Sequence, residues 1–392
     1  MNYKQACFKR KIETVALFPL IVFGKILGRL FPLKKQNSYF LFFPSADIGG
    51  SPKVNADILF LLKNKNPLVI FSKKPTNNGF KELYDSAECT IIDLHQLIDN
   101  KLFHFINVIY RGIISSWINA STNPIVFGGE CMYFYKVIPH IKDGIKKIEL
   151  SHLNTWLDYN QAFVGFIDLR ITSTPKLKRY MEKQYRENKI PLEFLERIVY
   201  IDNWVDILEI QKNHSDSLNV LFVGRGSPQK RVHIISNIAE RVMRLGHSIT
   251  FTFVGDVTNI VSDYVSKNAT IFEFVTEKEK LYSIYDKADL LILTSSFEGL
   301  PIVIMDMMAR GKVVISTAVD GIPDYISHGI SGLLIDEINN EEAIEQRAID
   351  LILEMDKDRR LLQEIGVNAK KIAKEKFNRS LFEEKYKKIF SI

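Results

Sequence analysis

The sequence predicts an α/β protein of two Rossmann-like domains, and three observations support this prediction. Short apolar runs alternate with helical patterns from Ser38 onward, which is typical of parallel sheets with helices on both faces. The same alternation begins again near Val220, after a polar stretch at Asn203–Ser217 that we expect to separate the two series. A length of 392 residues also favours two domains over one.

The apolar runs define the predicted strands. The first series is Tyr39–Phe43, Leu68–Ser72, Thr90–Leu94, Ile125–Gly128, Lys147–Ser151, Arg170–Ser173 and Ile198–Asp202. The second series is Val220–Gly224, Thr250–Gly255, Thr270–Phe274, Leu290–Thr294 and Val313–Thr317. Helices are predicted between them, for example at Pro52–Lys63 and Pro175–Arg186, and the chain beyond Asn340 is predicted to be helical throughout.

Composition indicates an ordinary globular protein, with 46% hydrophobic and 25% charged residues. The three cysteines, Cys7, Cys89 and Cys131, show no CxxC spacing, so we expect incidental thiols in a reducing compartment.

Positive charge is concentrated at the N-terminus. Residues 1–36 carry eight Lys or Arg side chains and one acid, Glu13, so they contribute +7 to a net charge of +6 and the remainder sums to −1. Because the basic residues are not spread over a folded face, the chain is not expected to bind nucleic acid.

The same segment is apolar. Thr14–Gly24 is an uncharged run of eleven residues, which is too short to span a bilayer. Lys25 and Arg29 share one helical face, and Pro19 is predicted to kink a helix here. We expect residues 1–36 to lie on the inner face of the cell membrane as a basic amphipathic helix, in a protein that is otherwise cytoplasmic. The alternative is a helix packed on the protein's own surface, whereas a secretory signal is disfavoured because no small-residue cleavage site follows.

Two turns at the carboxyl ends of predicted strands could bind a ligand, since open α/β sheets bind ligands there. In Pro44–Pro52, Gly49 and Gly50 allow close backbone approach. In Val223–Arg231, Arg225 and Lys230 could converge on a diphosphate. The second turn does not match the GxGxxG fingerprint, because Gln229 occupies the third glycine position.

A third turn, within Ala288–Leu334, carries two acids. Glu298 and Gly299 follow a predicted strand, Pro301 is predicted to open a helix, and Asp306 follows Glu298 after seven intervening residues. A helix N-terminus suits a phosphate, and carboxylates can accept hydrogen bonds from sugar and ribose hydroxyls. The pattern predicts a sugar-nucleotide site.

The second half resembles the family 4 glycosyltransferases of GT-B architecture. The family signature, a Glu followed after seven residues by a second Glu, corresponds to Glu298 and Asp306 in EGLPIVIMDMMARGKVVIST. The resemblance extends from about Tyr39 to the C-terminus. It also rests on Arg225 and Lys230 at the family's spacing, on the turns Asp320–Ile326 and Gly329–Gly332, and on Asn203–Asp206, where Trp204 replaces a glycine.

The resemblance implies two Rossmann-like domains facing each other across a cleft. Residues 37–203 would form an acceptor-binding domain, residues 204–376 a nucleotide-sugar-binding domain, and residues 377–392 a helix crossing back to the first domain. The implied reaction moves a hexose-type sugar from a nucleotide sugar to a glycan or lipid-linked saccharide, with retention, in cell-surface polysaccharide biosynthesis. No cofactor or metal is implied, and the DxD sequence Asp356–Asp358 lies in a charged helical stretch.

The family's site residues transfer to matching positions. Arg225 and Lys230 would bind the diphosphate, Glu298 the donor sugar and Asp306 the ribose, with a weaker contact because Asp is shorter than Glu. The implied catalytic residues are Glu298, Arg225, Lys230 and His152. The implied donor-binding residues are Gly49, Gly50, Gly224, Arg225, Lys230, Glu298, Gly299, Leu300, Pro301 and Asp306. Asp47, Glu130 and Tyr133 are candidates for acceptor loops.

Two other functions remain open at this point. The departure at Asp306 is compatible with a non-catalytic partner that binds nucleotide or glycan within an assembly complex. A sugar-nucleotide epimerase of similar architecture would convert donor without an acceptor.

Overall fold

The computed structural model describes residues 2–99, 104–153, 157–208 and 216–392, with the side chains of 157 and 158 excepted. The chain forms two compact units, which are described separately below. Unit 1 comprises Met1–Ile201 and Glu383–Ile392, and unit 2 comprises Asp202–Phe382.

Unit 1 is built on a seven-stranded parallel sheet with the order β3-β2-β1-β4-β5-β6-β7. Its strands are β1 (Tyr39–Phe43), β2 (Leu68–Phe71), β3 (Thr90–Asp93), β4 (Ile125–Gly129), β5 (Lys146–Ser151), β6 (Leu169–Thr172) and β7 (Ile198–Tyr200). Its helices are α1 (Tyr3–Leu30), α2 (Gly50–Leu61), α3 (Lys81–Asp85), α4 (His95–Ile98), α5 (His104–Ala120), α6 (Met132–Val137), α7 (Leu157–Asn160) and α8 (Pro175–Glu187).

Unit 2 is built on a six-stranded parallel sheet with the order β10-β9-β8-β11-β12-β13. Its strands are β8 (Leu218–Val223), β9 (Ile249–Val254), β10 (Thr270–Phe272), β11 (Leu290–Leu293), β12 (Val313–Thr317) and β13 (Leu333–Ile335). Its helices are α9 (Val232–Arg244), α10 (Asp263–Asn268), α11 (Lys278–Lys287), α12 (Ile302–Ala309), α13 (Glu341–Lys357) and α14 (Arg359–Lys376), followed by α15 (Arg379–Phe390).

The predicted strands are present, and about half of their ends shift by one or two residues. Strands β1 and β12 have the predicted bounds. Strand β13, of three residues, was not predicted. The described part of the chain beyond β13 is helical, apart from short connections.

The structure places the two prolines singled out in the sequence as follows. Helix α1 continues through Pro19 without a break, although proline removes one main-chain hydrogen bond there. Pro301 is the N-cap of α12 rather than its first residue, since its ψ angle of 133° is extended and helical geometry begins at Ile302.

The end of α15 packs into unit 1. The Phe390 ring lies 6.0 Å from the Tyr39 ring and 5.7 Å from the Phe127 ring, centroid to centroid. Lys146 Nζ donates to the Ile389 carbonyl at 2.6 Å. The last residues of the chain therefore contribute to the packing of β1 and β4.

Helix α1 packs on α5, and no helix among the described residues combines the length and apolarity needed to cross a membrane. The two backbones approach closely at glycines. A Cβ atom added to Gly24 would lie 2.1 Å from the Ile109 carbonyl oxygen, and one added to Gly112 would lie 2.3 Å from the Ile21 carbonyl oxygen. This contact tolerates no side chain at either position.

Candidate functional site

The site begins at the point in unit 2 where the strand order reverses direction. Strand β8 pairs with β9 on one side and with β11 on the other. The turn after β8 contains Arg225 and Lys230, and the turn after β11 contains Glu298. Since β8 and β11 are parallel neighbours, both turns leave the same edge of the sheet, which is where open α/β sheets bind ligands.

The turn after β8 is held by a close main-chain approach. Gly255 has a φ of +135°, and a Cβ atom there would lie 1.9 Å from the Gly224 carbonyl oxygen. Gly226 N donates to Asp256 Oδ1 at 2.7 Å. These contacts fix the backbone on both sides of Arg225, whose side chain is exposed.

Arg231 joins the two turns, a role that the sequence analysis missed. It has a left-handed backbone with a φ of +47° and a buried side chain. Its Nε donates to the Thr294 carbonyl at 2.6 Å, and its Nη2 donates to the Ser295 carbonyl at 3.0 Å. Arg231 therefore fixes the start of α9 to the end of β11.

Gln229 adds a second connection between the turns. Ser296 N donates to the Gln229 carbonyl at 2.9 Å, and Gln229 Nε2 donates to the Phe297 carbonyl at 2.8 Å. The residue that breaks the GxGxxG pattern thus tethers one turn to the other.

Lys230 and Glu298 form an ion pair across the two turns. Lys230 Nζ lies 2.5 Å from Glu298 Oε1, and Glu298 is 8% exposed. Glu298 N donates to Asp320 Oδ2 at 2.7 Å. Asp320, in the predicted Asp320–Ile326 turn, therefore fixes the backbone that presents the Glu298 carboxylate.

The chain then passes through Gly299 and Leu300 to the N-terminus of α12, where no side chain provides a capping hydrogen bond. The two adjacent turns thus carry two cations, Arg225 and Lys230, and the Glu298 carboxylate, next to the N–H groups at the start of α12. Together they could hold a diphosphate and accept hydrogen bonds from hydroxyl groups.

Asp306 lies within α12 and is engaged by another side chain. Its Oδ1 lies 3.2 Å from Arg310 Nη1, and Arg310 Nε also lies 3.1 Å from Asp286 Oδ1. The Arg310 guanidinium stacks 4.0 Å from the Tyr282 ring. Burial and the Asp306 charge together raise the pKa of Tyr285 well above its ordinary value. The spacing of four residues between Asp306 and Arg310 was the signal that could have predicted this pair.

His152 and the predicted Gly49–Gly50 turn lie in unit 1, whereas Arg225, Lys230, Glu298 and Asp306 lie in unit 2. His152 follows β5 and is buried, and its Nε2 has no hydrogen-bond partner among the described residues. Burial lowers the pKa of His152, which favours the neutral imidazole. Gly49 and Gly50 stand at the start of α2.

The acids near these unit 1 positions bind main-chain groups. Glu130, with a φ of +49°, accepts hydrogen bonds through Oε1 from His152 N at 2.7 Å and from Leu153 N at 3.0 Å. Asp47 accepts hydrogen bonds from the main-chain N–H groups of 76–78. Tyr133 is buried, and its hydroxyl has no partner in the described part of the chain.

The described residues contain no group of three or more His, Cys, Asp or Glu side chains arranged to hold a metal ion. The two acids of the DxD sequence have structural contacts. Asp356 pairs with Arg359, and Asp358 caps α14 by accepting from Leu361 N at 2.9 Å.

The unit 2 site lies within the part of the chain that matches a known protein family. Residues 206–371 match the family model of the group 1 glycosyl transferases. An uncharacterized glycosyltransferase of Methanocaldococcus jannaschii is 28% identical over 58% of this chain and 65% of its own length. The N-acetyl-alpha-D-glucosaminyl L-malate synthase of Bacillus anthracis is 29% identical over 30% of this chain and 29% of its own length. The matches therefore span about a third to two thirds of these relatives.

The fold class is confirmed by comparison with solved structures. The Anabaena protein HepE, in complex with UDP-glucose, has a TM-score of 0.68 to this chain at 16% identity, covering 90% of this chain and 99% of its own. The prediction of an α/β protein with two Rossmann-like domains is correct.

Proposed function

We propose that this protein transfers a sugar from a nucleotide-sugar donor to a glycan or lipid-linked saccharide, with retention of anomeric configuration. The observation that carries the proposal is the Lys230–Glu298 ion pair, which joins two adjacent turns at the switch point of the unit 2 sheet. The pair lies within the region that matches group 1 glycosyl transferases. Its charges suit the two parts of such a donor, the diphosphate and the sugar hydroxyls.

The chain's own residues would act by positioning and by neutralising charge. In the proposed reaction the bond between the anomeric carbon and the diphosphate oxygen breaks while the acceptor oxygen bonds to the same face of that carbon. The leaving phosphate takes the acceptor's proton. Arg225, Lys230 and the N-terminus of α12 would stabilise the negative charge growing on the diphosphate. Glu298 would hold a donor-sugar hydroxyl, beside the N–H groups of Gly299 and Leu300.

Asp306 would bind the ribose, and His152, Gly49 and Gly50 would serve the donor or acceptor from unit 1. A neutral His152 is suited to hydrogen bonding with a sugar hydroxyl, since its lowered pKa disfavours the imidazolium. No step of the proposed reaction uses a metal or another cofactor.

We further propose that the acceptor is lipid-linked, that the protein works at the inner face of the cell membrane, and that the product belongs to a cell-surface polysaccharide. The support is the charge distribution: residues 1–36 carry a net charge of +7, whereas the rest of the chain carries −1. A basic segment of this kind is attracted to an anionic membrane surface.

The test is Glu298→Gln in the full-length protein. Nucleotide sugars are first screened for thermal stabilisation of the wild type, and the donor that stabilises it is then used in a transfer assay. We expect Glu298→Gln to lower the transfer rate by about 10²- to 10³-fold, as loss of one transition-state contact does. Glu342→Gln, an exposed acid at the start of α13, is the control and should leave the rate unchanged. An unchanged rate in Glu298→Gln would reject the proposed site.

A second candidate, a non-catalytic binding partner, is favoured by the engagement of Asp306 with Arg310. It predicts that the wild type binds the nucleotide sugar and turns over none with any saccharide acceptor. Conversion of the donor without an acceptor would instead indicate an epimerase.

A further inference from the structure

Helix α1 has two apolar faces, and in the described part of the chain only one of them is buried. The inner face contacts α5 through small residues. Gly24 and Gly28 are buried there, and a Cβ atom at Gly28 would lie 2.8 Å from the Ile113 carbonyl oxygen. Besides the close backbone approach at the glycines, this side of α1 buries one large apolar side chain, that of Ile21.

Seven of the large apolar side chains of α1 are exposed on the other side. In this helix of 28 residues, Val15 is 74% exposed, Leu30 67% and Phe8 65%. At 100° per residue these side chains fall within one sector of the helix, opposite Gly24 and Gly28. The outer face consists of Phe8, Ile12, Val15, Phe18, Phe23, Ile26 and Leu30.

The charges around the outer face are of one sign. Glu13, the one acid among residues 1–36, lies on the side of α1 away from the outer face; its side chain is 42% exposed, and its Oε1 lies 3.3 Å from Lys136 Nζ and 3.6 Å from Arg111 Nη1. The other exposed charged residues of this segment are all basic: Lys4, Lys9, Lys11, Arg29, Lys34 and Lys35.

We infer that α1 docks the protein on a bilayer rich in anionic lipid, lying parallel to the membrane plane with its outer face among the lipid chains. This inference deepens the proposed membrane location, on which it rests, by naming the surface and its partner. An apolar face bordered by Lys and Arg matches the interface of an anionic leaflet, where lipid chains meet phosphate groups. A second copy of the chain fits less well, since it would bring the same basic border against itself.

The inner face of α1 gives this surface a fixed place on unit 1. Since Gly24 and Gly28 hold α1 against α5, the outer face cannot turn inward without losing that contact. The helix therefore acts as a rigid docking surface and not as a flexible tether.

The test measures co-sedimentation of the full-length protein with lipid vesicles. One set of vesicles contains phosphatidylcholine alone, and the other also contains roughly 30% phosphatidylglycerol, an anionic lipid that gives the surface a negative potential. We expect the wild type to bind the anionic vesicles and the double variant Val15→Asp/Phe18→Asp to bind at least tenfold more weakly. Both side chains are exposed, so the variant should keep the wild-type unfolding temperature. The matched control, Leu245→Asp/Val367→Asp, places the same charges at exposed apolar positions of unit 2 and should bind like the wild type.

The basic border is tested separately. Lys4→Gln/Lys9→Gln/Lys11→Gln should weaken binding to anionic vesicles and reduce its dependence on salt, because these side chains contribute the electrostatic part of the attraction. The inference is overturned if the wild type does not bind anionic vesicles, or if the Val15→Asp/Phe18→Asp variant binds as well as the control. It is also overturned if the wild type is a dimer by analytical ultracentrifugation and that variant is a monomer, since a second copy would then cover the face.

The design separates this inference from the proposed reaction. Donor binding, followed as thermal stabilisation by the nucleotide sugar, should be the same in the wild type and in Val15→Asp/Phe18→Asp. Vesicle binding should in turn be unchanged in Glu298→Gln. Loss of one property with retention of the other therefore shows which proposal has failed.

Discussion

The two units use the acidic residues at their strand ends in different ways. In unit 2, Glu298 pairs with the side chain of Lys230 across two turns. In unit 1, Asp47 and Glu130 bind main-chain N–H groups of neighbouring loops. The two arrangements look alike in sequence, since in each an acid stands just beyond a buried strand.

The difference indicates which acids are available to a ligand. A lysine ammonium on a flexible stem can move to a phosphate, and the carboxylate that it leaves can accept a hydroxyl. A carboxylate that holds main-chain N–H groups cannot exchange them without leaving those groups unsatisfied. This difference supports the proposed chemistry at the unit 2 turns, whereas Asp47 and Glu130 hold the main chain of neighbouring loops.

The largest effect on the transfer rate should come from removing the ion pair between Lys230 and Glu298. We expect Lys230→Met to lower the transfer rate by about 10²- to 10³-fold, because a charge placed to stabilise the transition state is lost. The exposed Lys267→Met variant on α10 is the control. A rate within twofold of the wild type in Lys230→Met would show that the ion pair only supports the fold, like the acids of unit 1.

Lowering the pH should destabilise the folded state of unit 1 through His140. Burial, and then the nearby charges of Lys25, Arg111 and Arg10, lower the pKa of His140 from 6.5 to about 4, with an opposing contribution from Glu13. Between these values the unfolded chain binds a proton that the folded chain does not, so stability falls as the pH drops from 6.5 to 4. The loss attributable to His140 is about 3 kcal/mol.

Urea unfolding at pH 7 and pH 4.5 measures this effect. The difference between the two pH values should shrink in His140→Asn and stay unchanged in the control His233→Gln, where the histidine is exposed. An equal pH dependence in His140→Asn would show that other groups of the protein account for it.

The sheets were predictable because their signal is local. Each strand appears as an apolar run, and the alternation with helices predicts parallel pairing without knowledge of any contact. The two faces of α1 were not predictable in the same way. Residues 1–36 show an apolar, basic segment, but the contact of Gly24 with α5 depends on Gly112, which lies far along the chain.

The site was partly predictable for the same reason. The spacing of Arg225 and Lys230, and that of Glu298 and Asp306, is visible within single turns. The residues that join one turn to another were missed. The hydrogen bond from Glu298 N to Asp320, and those from Arg231 to the end of β11, form only after the strands have been placed side by side.

A moderate effect is expected from Glu130 in unit 1. Glu130→Ala would leave the N–H groups of His152 and Leu153 without their acceptor, at a cost of about 2 kcal/mol in the free energy of unfolding. Glu130→Gln keeps an acceptor oxygen and should cost less than about 1 kcal/mol. Equal destabilisation in both variants, measured by thermal unfolding, would mean that the charge of Glu130 matters more than its hydrogen bonds.

The smallest effect is expected at Asp306, which tests the comparison within unit 2 itself. Glu298 pairs with Lys230 from another turn, whereas Asp306 pairs with Arg310 of the next helical turn, and Arg310 is held in turn by Asp286. If Asp306 contacts only the ribose, that contact is the same in the ground state and the transition state. Its loss should then raise the KM for the donor and leave kcat unchanged. We expect Asp306→Asn, which keeps an oxygen for Arg310, to raise that KM several-fold. A fall in kcat comparable to that of Glu298→Gln would contradict this and place both acids in the chemical step.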